Sequence, residues 1–149
     1  MSTEVVAPLT ETEVRATVER WFQKLDRHAP VEELLPLLAA EGLVMRFPEA
    51  ALHSQSDFIA WYEGVIRRFF DEVHVLKALD VKLTSGRAAV RLVVNWQAQT
   101  WDPPQPRSNW LGFDAAQTWV LERSPITSTA AITSYVVDAL TPMEGSASL

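Results

Sequence analysis

The chain has 149 residues, a length that suits one domain and buries roughly 68–70% of the unfolded surface without a metal or disulfide staple. With 48% hydrophobic and 21% charged residues it lies outside disordered composition, and the absence of cysteine excludes disulfide scaffolds, zinc ribbons, iron–sulfur sites and thiol nucleophiles. A formal net charge of −6 leaves no wide basic face for nucleic acid.

Met1 to Pro8 carries no basic residue and no apolar run of signal-peptide length. No stretch approaches the ~18 consecutive apolar residues of a membrane span, so a cytoplasmic chain without membrane contact is expected. Thr10 followed by Glu13 forms a capping box, which opens a first helix. Val14, Val18, Trp21, Phe22 and Leu25 then supply one apolar helical face. Pro30 suits the start of a second, short helix, and Pro36 breaks it because proline has no N–H to donate. Leu43 to Phe47 reads as a short strand. A third helix begins near Ser56 and Asp57, with Phe58, Trp61, Tyr62, Val65, Ile66 and Phe69 on a wide apolar face.

After Phe70 the period changes from helix to strand. Val73 to Leu83 is extended, and Ser85-Gly86 turns the chain. Ala88 to Trp101 alternates, with Ala88, Val90, Leu92, Val94, Trp96 and Ala98 on one face. Asp102 to Asp114, with Pro103, Pro104, Pro106 and Gly112, reads as a loop. Ala115 to Arg123 and Ala130 to Leu140 are the last strands, and the tail from Met143 is expected to fray. Helices followed by a meander of long strands specify an α+β fold, with helices on one face of a curved antiparallel sheet.

In this order and at these lengths the segments WFQKLDRHAPVEELLPLL, LVMRF, DFIAWYEGVIRRFF, DEVHVLKALDVKL, AAVRLVVNWQA, AQTWVLERS and AAITSYVVDAL resemble the nuclear-transport-factor-two-like superfamily, specifically its SnoaL-like branch. The resemblance spans residues 9–143 as a single domain, with 1–8 and 144–149 as flexible ends. It implies a cone-shaped sheet wrapped around the N-terminal helices, with a mostly apolar pocket at the wide end. It further implies homodimers through the outer sheet face. Catalytic members, among them polyketide cyclases, ketosteroid isomerases, dehydratases and epoxide hydrolases, hold one or two Asp or His side chains inside the cone and use no cofactor. The fold hosts unrelated activities, so the resemblance alone assigns none.

His74, at the helix-to-strand change, is the first candidate for a general base, with Asp26 as its companion carboxylate. A histidine there can equally fix the strand start by bonding to a neighbour. Asp26 and His28, two apart on a helix, do not face each other. His53 reads as a surface loop residue. The three histidines share no metal-ligand spacing, so no metal site is expected. The alternating strand Ala88 to Trp101 offers no carboxylate, and an Asp80, Arg91 and Asp138 set competes with ordinary surface ion pairs.

The six tryptophans are the anomaly of the composition. Trp21, Trp61, Trp96 and Trp119, with Phe47 and Tyr135, fall on elements that a cone brings together. They are the candidate walls of a pocket for a small hydrophobic molecule, against the alternative that they only fill the core. Trp101 and Trp110 bracket the proline-rich loop. Two functions remain open: a module that binds a hydrophobic metabolite, or an acid–base enzyme of cyclase, isomerase or dehydratase type with His74 as base.

Overall fold

The structure, a computed structural model, describes residues 7–149. Most of the N-terminal end expected to be flexible lies outside the described residues. Helix α1 (Glu11–Asp26) starts at the expected capping box: Thr10 Oγ1 accepts from Glu13 N–H, and Glu13 Oε1 accepts from Thr10 N–H. Its buried face is Val14, Thr17, Val18, Trp21, Phe22 and Leu25. α2 (Val31–Leu34) is cut short at Pro36 and passes into a 3-10 turn (Leu35–Leu37). β1 (Val44–Arg46) and β2 (Ala51–Leu52) form a small hairpin, and α3 (Gln55–Arg68) follows with Ser54 as N-cap. Four long strands complete the fold: β3 (Phe70–Thr84), β4 (Arg87–Thr100), β5 (Asn109–Arg123) and β6 (Ala130–Pro142).

The strands form one sheet in the order β2-β1-β6-β5-β4-β3, antiparallel except where β1 runs parallel to β6. The inner face of β4 is the alternating set read from the sequence, with Ala88, Val90, Leu92, Val94 and Ala98 buried. Cross-strand register stacks this face into rows: Val90, Trp119 and Tyr135; Leu92, Gln117 and Val137; Val94, Ala115 and Leu140; Trp96 and Phe113. α1 packs across these rows, and its contact with β3 fixes its C-terminal end. Among the described residues no helix is long and apolar enough to cross a membrane.

Two expectations are corrected. β5 begins at Asn109, inside the segment read as loop. Gly112 pairs with Gln97 of β4, and the position is glycine because a Cβ there would lie 2.5 Å from the Trp110 ring and 2.8 Å from Met143 Sδ. The C-terminal tail is tied down rather than frayed. Met143 N–H donates to Gly112 O, Ala147 N–H to Trp110 O, and Ser146 Oγ accepts from Gly112 N–H.

Candidate functional site

The inner rows enclose a cavity of about 410 Å³, with a mostly apolar wall. Phe47, Trp61, Trp96 and Tyr135 lie in that wall. Trp61 stacks on Phe47 with ring centroids 4.1 Å apart, and its indole N–H donates to Glu49 at 3.1 Å.

Trp21 and Trp119 are not among the residues that line the cavity. Both are fully buried at the closed end of the cone. The Trp119 ring stacks on Tyr135 at 4.6 Å and meets Trp21 edge-on at 6.4 Å. Burying these large rings fills the narrow end, where the rows converge, and leaves Tyr135 as the cavity floor.

The polar side of the wall is built where α1 ends against β3. β3 is the sheet edge, so every second N–H on it has no strand partner. His74 turns such an N–H toward α1, and Asp26 Oδ2 accepts it at 3.1 Å. Asp26 Oδ1 meets His74 Nδ1 at 2.6 Å. Phe22 stacks on one face of the imidazole at 5.0 Å, and Trp96 lies parallel to it at 6.4 Å. The ring is therefore fixed in position and orientation. With Nδ1 taken by the carboxylate, the cavity-lining His74 presents Nε2, which has no protein partner among the described residues.

Asp26 thus pairs with His74, 48 residues away, and not with His28. His28 lies just beyond α1 with φ of 48°, the left-handed position of a Schellman ending. Ala29 N–H returns to Lys24 O and His28 N–H to Leu25 O. A non-glycine residue is uncommon in that conformation, and the His28 ring lies against β3. Its Nε2 meets Glu72 Oε2 at 2.5 Å.

Glu72 is a cavity-lining carboxylate that the sequence reading missed. Its carboxylate lines the cavity and is almost fully buried, with the side chain 5% exposed. Oε1 accepts from the Trp96 indole at 3.0 Å. The available signal was Glu-x-His: in a strand, residues two apart share a face. The strand begins at Phe70 and not at Val73, so Glu72 lies within it.

Besides His74 and Glu72, the polar side chains that line the cavity are Glu49, Arg68, Gln117 and Tyr135. Burial pushes the Tyr135 phenol far above its usual range, with Trp21 and Gln117 opposing that in part, so the phenol stays a neutral O–H. Gln117 accepts from Trp119 Nε1 at 2.9 Å and keeps its amide NH2 group for other partners. The indole donors of Trp96 and Trp61 are both committed to carboxylates.

The remaining candidates lie elsewhere. Asp80, Arg91 and Asp138 are exposed on the outer face of the sheet, so they form no acid–base set inside the cone. His53 is exposed beside the start of α3. Trp101 is half exposed on its loop, where it donates to Gln105 O. Among the described residues no group of three or more His, Asp or Glu is placed to hold a metal.

The sequence matches no protein-family model and no curated protein. Solved structures share its fold. A provisionally assigned aromatic ring hydroxylase from Novosphingobium aromaticivorans matches with TM-score 0.76 at 12% identity, over 89% of this chain and 92% of that one. A provisionally assigned dehydratase of the NTF2-like family from Streptomyces avermitilis matches with TM-score 0.72 at 16% identity, over 89% and 95%. The hexachlorocyclohexane dehydrochlorinase LinA-type3 from Novosphingobium barchaimii matches with TM-score 0.72 at 10% identity, over 93% and 92%. At these identities the likeness is one of fold.

Proposed function

We propose that this chain, which has the cone fold of the NTF2-like superfamily, is an enzyme that removes a proton from carbon in a small, largely apolar carbonyl compound. The observation that carries the reading is the 2.6 Å contact between Asp26 Oδ1 and Nδ1 of the cavity-lining His74, whose Nε2 has no protein partner among the described residues. A carboxylate on Nδ1 fixes the tautomer whose Nε2 lone pair is free, and it stabilises the imidazolium that forms. His74 is the base and Asp26 its orienting partner.

Removing a proton beside a carbonyl builds negative charge on the carbonyl oxygen. The neutral Tyr135 hydroxyl and the Gln117 amide are the donors that would meet it in a water-poor site. Phe47, Trp61 and Trp96 bind the apolar body. Two of the fold neighbours carry names of eliminations, dehydratase and dehydrochlorinase, reactions that also begin at a C–H bond. The reading keeps a homodimer through the outer sheet face, for which the solution mass is the measurement.

The alternative is a module that only binds a hydrophobic metabolite. The oriented imidazole and the buried carboxylate favour chemistry over storage, because binding an apolar molecule needs neither. The test is proton NMR in D2O on a panel of aryl and alkyl ketones, with tryptophan fluorescence reporting binding. Accelerated loss of the C–H signal beside the carbonyl supports the enzyme. Ketones that bind but exchange no faster than in buffer overturn it in favour of a binding module.

A further inference from the structure

The cavity wall carries one arginine that proton abstraction by His74 does not use. Trp61, Val65 and Arg68 recur at i, i+4 and i+7, so one stripe of α3 faces the cavity. The stripe ends on the exposed Arg68, the last residue of the helix. Arg67, in the same last turn, serves the helix dipole equally well but does not line the cavity. The Arg68 guanidinium lies over the Phe69 ring, 5.1 Å from its centroid. Phe69 meets Trp96 edge-on at 5.1 Å, and Trp96 lies 6.4 Å from the His74 ring. Arg68 therefore stands at the cavity mouth, three ring contacts away from the base.

The guanidinium has no hydrogen-bond acceptor and no ion-pair partner among the described residues. The carboxylates of the same wall are in a different state. Glu72 is engaged at both oxygens, by Trp96 and by His28. Glu49 holds the Trp61 indole N–H through Oε1. What the wall has left to offer a charged ligand is thus mainly a planar fork of donors. A carboxylate matches that fork, whereas an ammonium group meets its charge. No second Lys or Arg lines the cavity, so a monoanion fits better than a phosphate dianion.

We infer that Arg68 binds a carboxylate of the substrate, which narrows the carbonyl compound to a keto acid whose acid group is remote from the exchanged C–H bond. This rests on the reading of His74 as base. The apolar body lies along Phe69 and Trp96, and the carboxylate stays at the mouth, where it keeps contact with water. The contact holds the reacting carbon in place with binding energy from a part of the molecule that does not react. The net charge of −6 repels an anion at long range, so the preference comes from the short contact alone.

The probes are benzylacetones with a para carboxylate, attached directly or through one or two CH2 groups, each compared with its methyl ester. Tryptophan fluorescence reads Kd, and proton NMR in D2O reads exchange beside the ketone. At least one acid should bind ~5-fold or more tighter than its ester, the upper reach of an exposed ion pair. Its KM for exchange should fall by a like factor, and added salt should shrink the difference. Arg68→Gln should abolish the preference for acid over ester, Arg68→Lys should keep part of it, and Arg67→Gln should keep all of it. Glu49→Gln, which removes the competing charge at the mouth, should enlarge it.

Acids that bind no better than their esters, or a preference that survives Arg68→Gln, overturn the inference and leave His74 as base. Tighter binding of the corresponding para-aminomethyl ketone overturns it in favour of a cationic ligand. Absence of exchange with every probe overturns the base reading, and the Kd ratios then still decide whether Arg68 holds a carboxylate.

Discussion

Replacing Asp26 by Asn isolates the orienting role with almost no change of shape. Asp26 accepts twice from His74, from the backbone N–H at 3.1 Å and at the ring Nδ1 at 2.6 Å. Asn has one accepting oxygen and one donating NH2 group. If the oxygen stays on the backbone N–H, the NH2 group faces Nδ1 and forces the proton to Nε2, so the lone pair leaves the cavity. If the amide flips, its NH2 group confronts the backbone N–H and that donor loses its partner. The first arrangement costs less, so the variant holds the wrong tautomer. In the Ser-His-Asp template the corresponding change drops turnover about 10⁴-fold. Here the range is about 10²- to 10⁴-fold, or about 2.7–5.4 kcal/mol at the transition state. Stability falls by only about 1–2 kcal/mol, because one hydrogen bond to a charged group is exchanged for a neutral one. The assay is ketone proton exchange in D2O, with nitrogen-15 NMR of the His74 ring reporting the tautomer. Wild-type exchange in Asp26→Asn, or a proton still on Nδ1, refutes the reasoning.

Further outcomes follow from the same packing. The chain has only two tyrosines, and burial pushes the Tyr62 phenol up to about 12 and Tyr135 higher still. A raised phenol pKa adds stability that is fully present below the unfolded value near 10 and is lost as pH rises toward 12. The folded protein should therefore show no tyrosinate absorbance near pH 10, and the absorbance should appear together with alkaline unfolding; titration near pH 10 without loss of structure contradicts the burial. Gly112→Ala should cost about 1–3 kcal/mol, measured by denaturant unfolding, because its Cβ collides with the Trp110 ring and Met143. An unchanged midpoint would show that Trp110 yields freely. Trp61→Phe should weaken ketone binding and leave folding intact, since Trp61 lines the cavity and its indole contact is with the exposed Glu49 side chain; unaltered affinity places the ligand elsewhere.

The fold was legible because its signals are local. Thr10 and Glu13 cap α1 within one turn, Pro36 truncates α2, and β4 alternates without a bulge until it meets the loop. β5 was cut short because Gly112 and the three nearby prolines carry the local signature of a loop. What holds Asn109–Asp114 in the sheet is pairing with Asn95–Thr100 of β4, with the tail bonded to Trp110 and Gly112 on the other side, and neither is a local pattern. The cavity was legible by half. Helical and strand periods tell which side chains point inward, but not how deep along the cone they lie. Trp119 points inward like Trp96, yet register puts it in the row with Val90 and Tyr135, where Trp21 of α1 packs against it. Glu72 was lost at an irregularity, since Asp71 has a positive φ and the β3 register shifts between Phe70 and Val73. A bulge hides strand parity from any reading of the sequence. His28 reaches Glu72 across 44 positions, a pairing no local pattern encodes.

The central claim is that His74 Nε2 takes a proton from carbon inside the cone. Its most direct test is the rate at which benzylacetone gains deuterium beside its carbonyl, with wild-type protein and with His74→Gln. The account predicts exchange well above the buffer rate for the wild type and a loss of ~10²-fold or more in the variant. Equal exchange by the two proteins would contradict it.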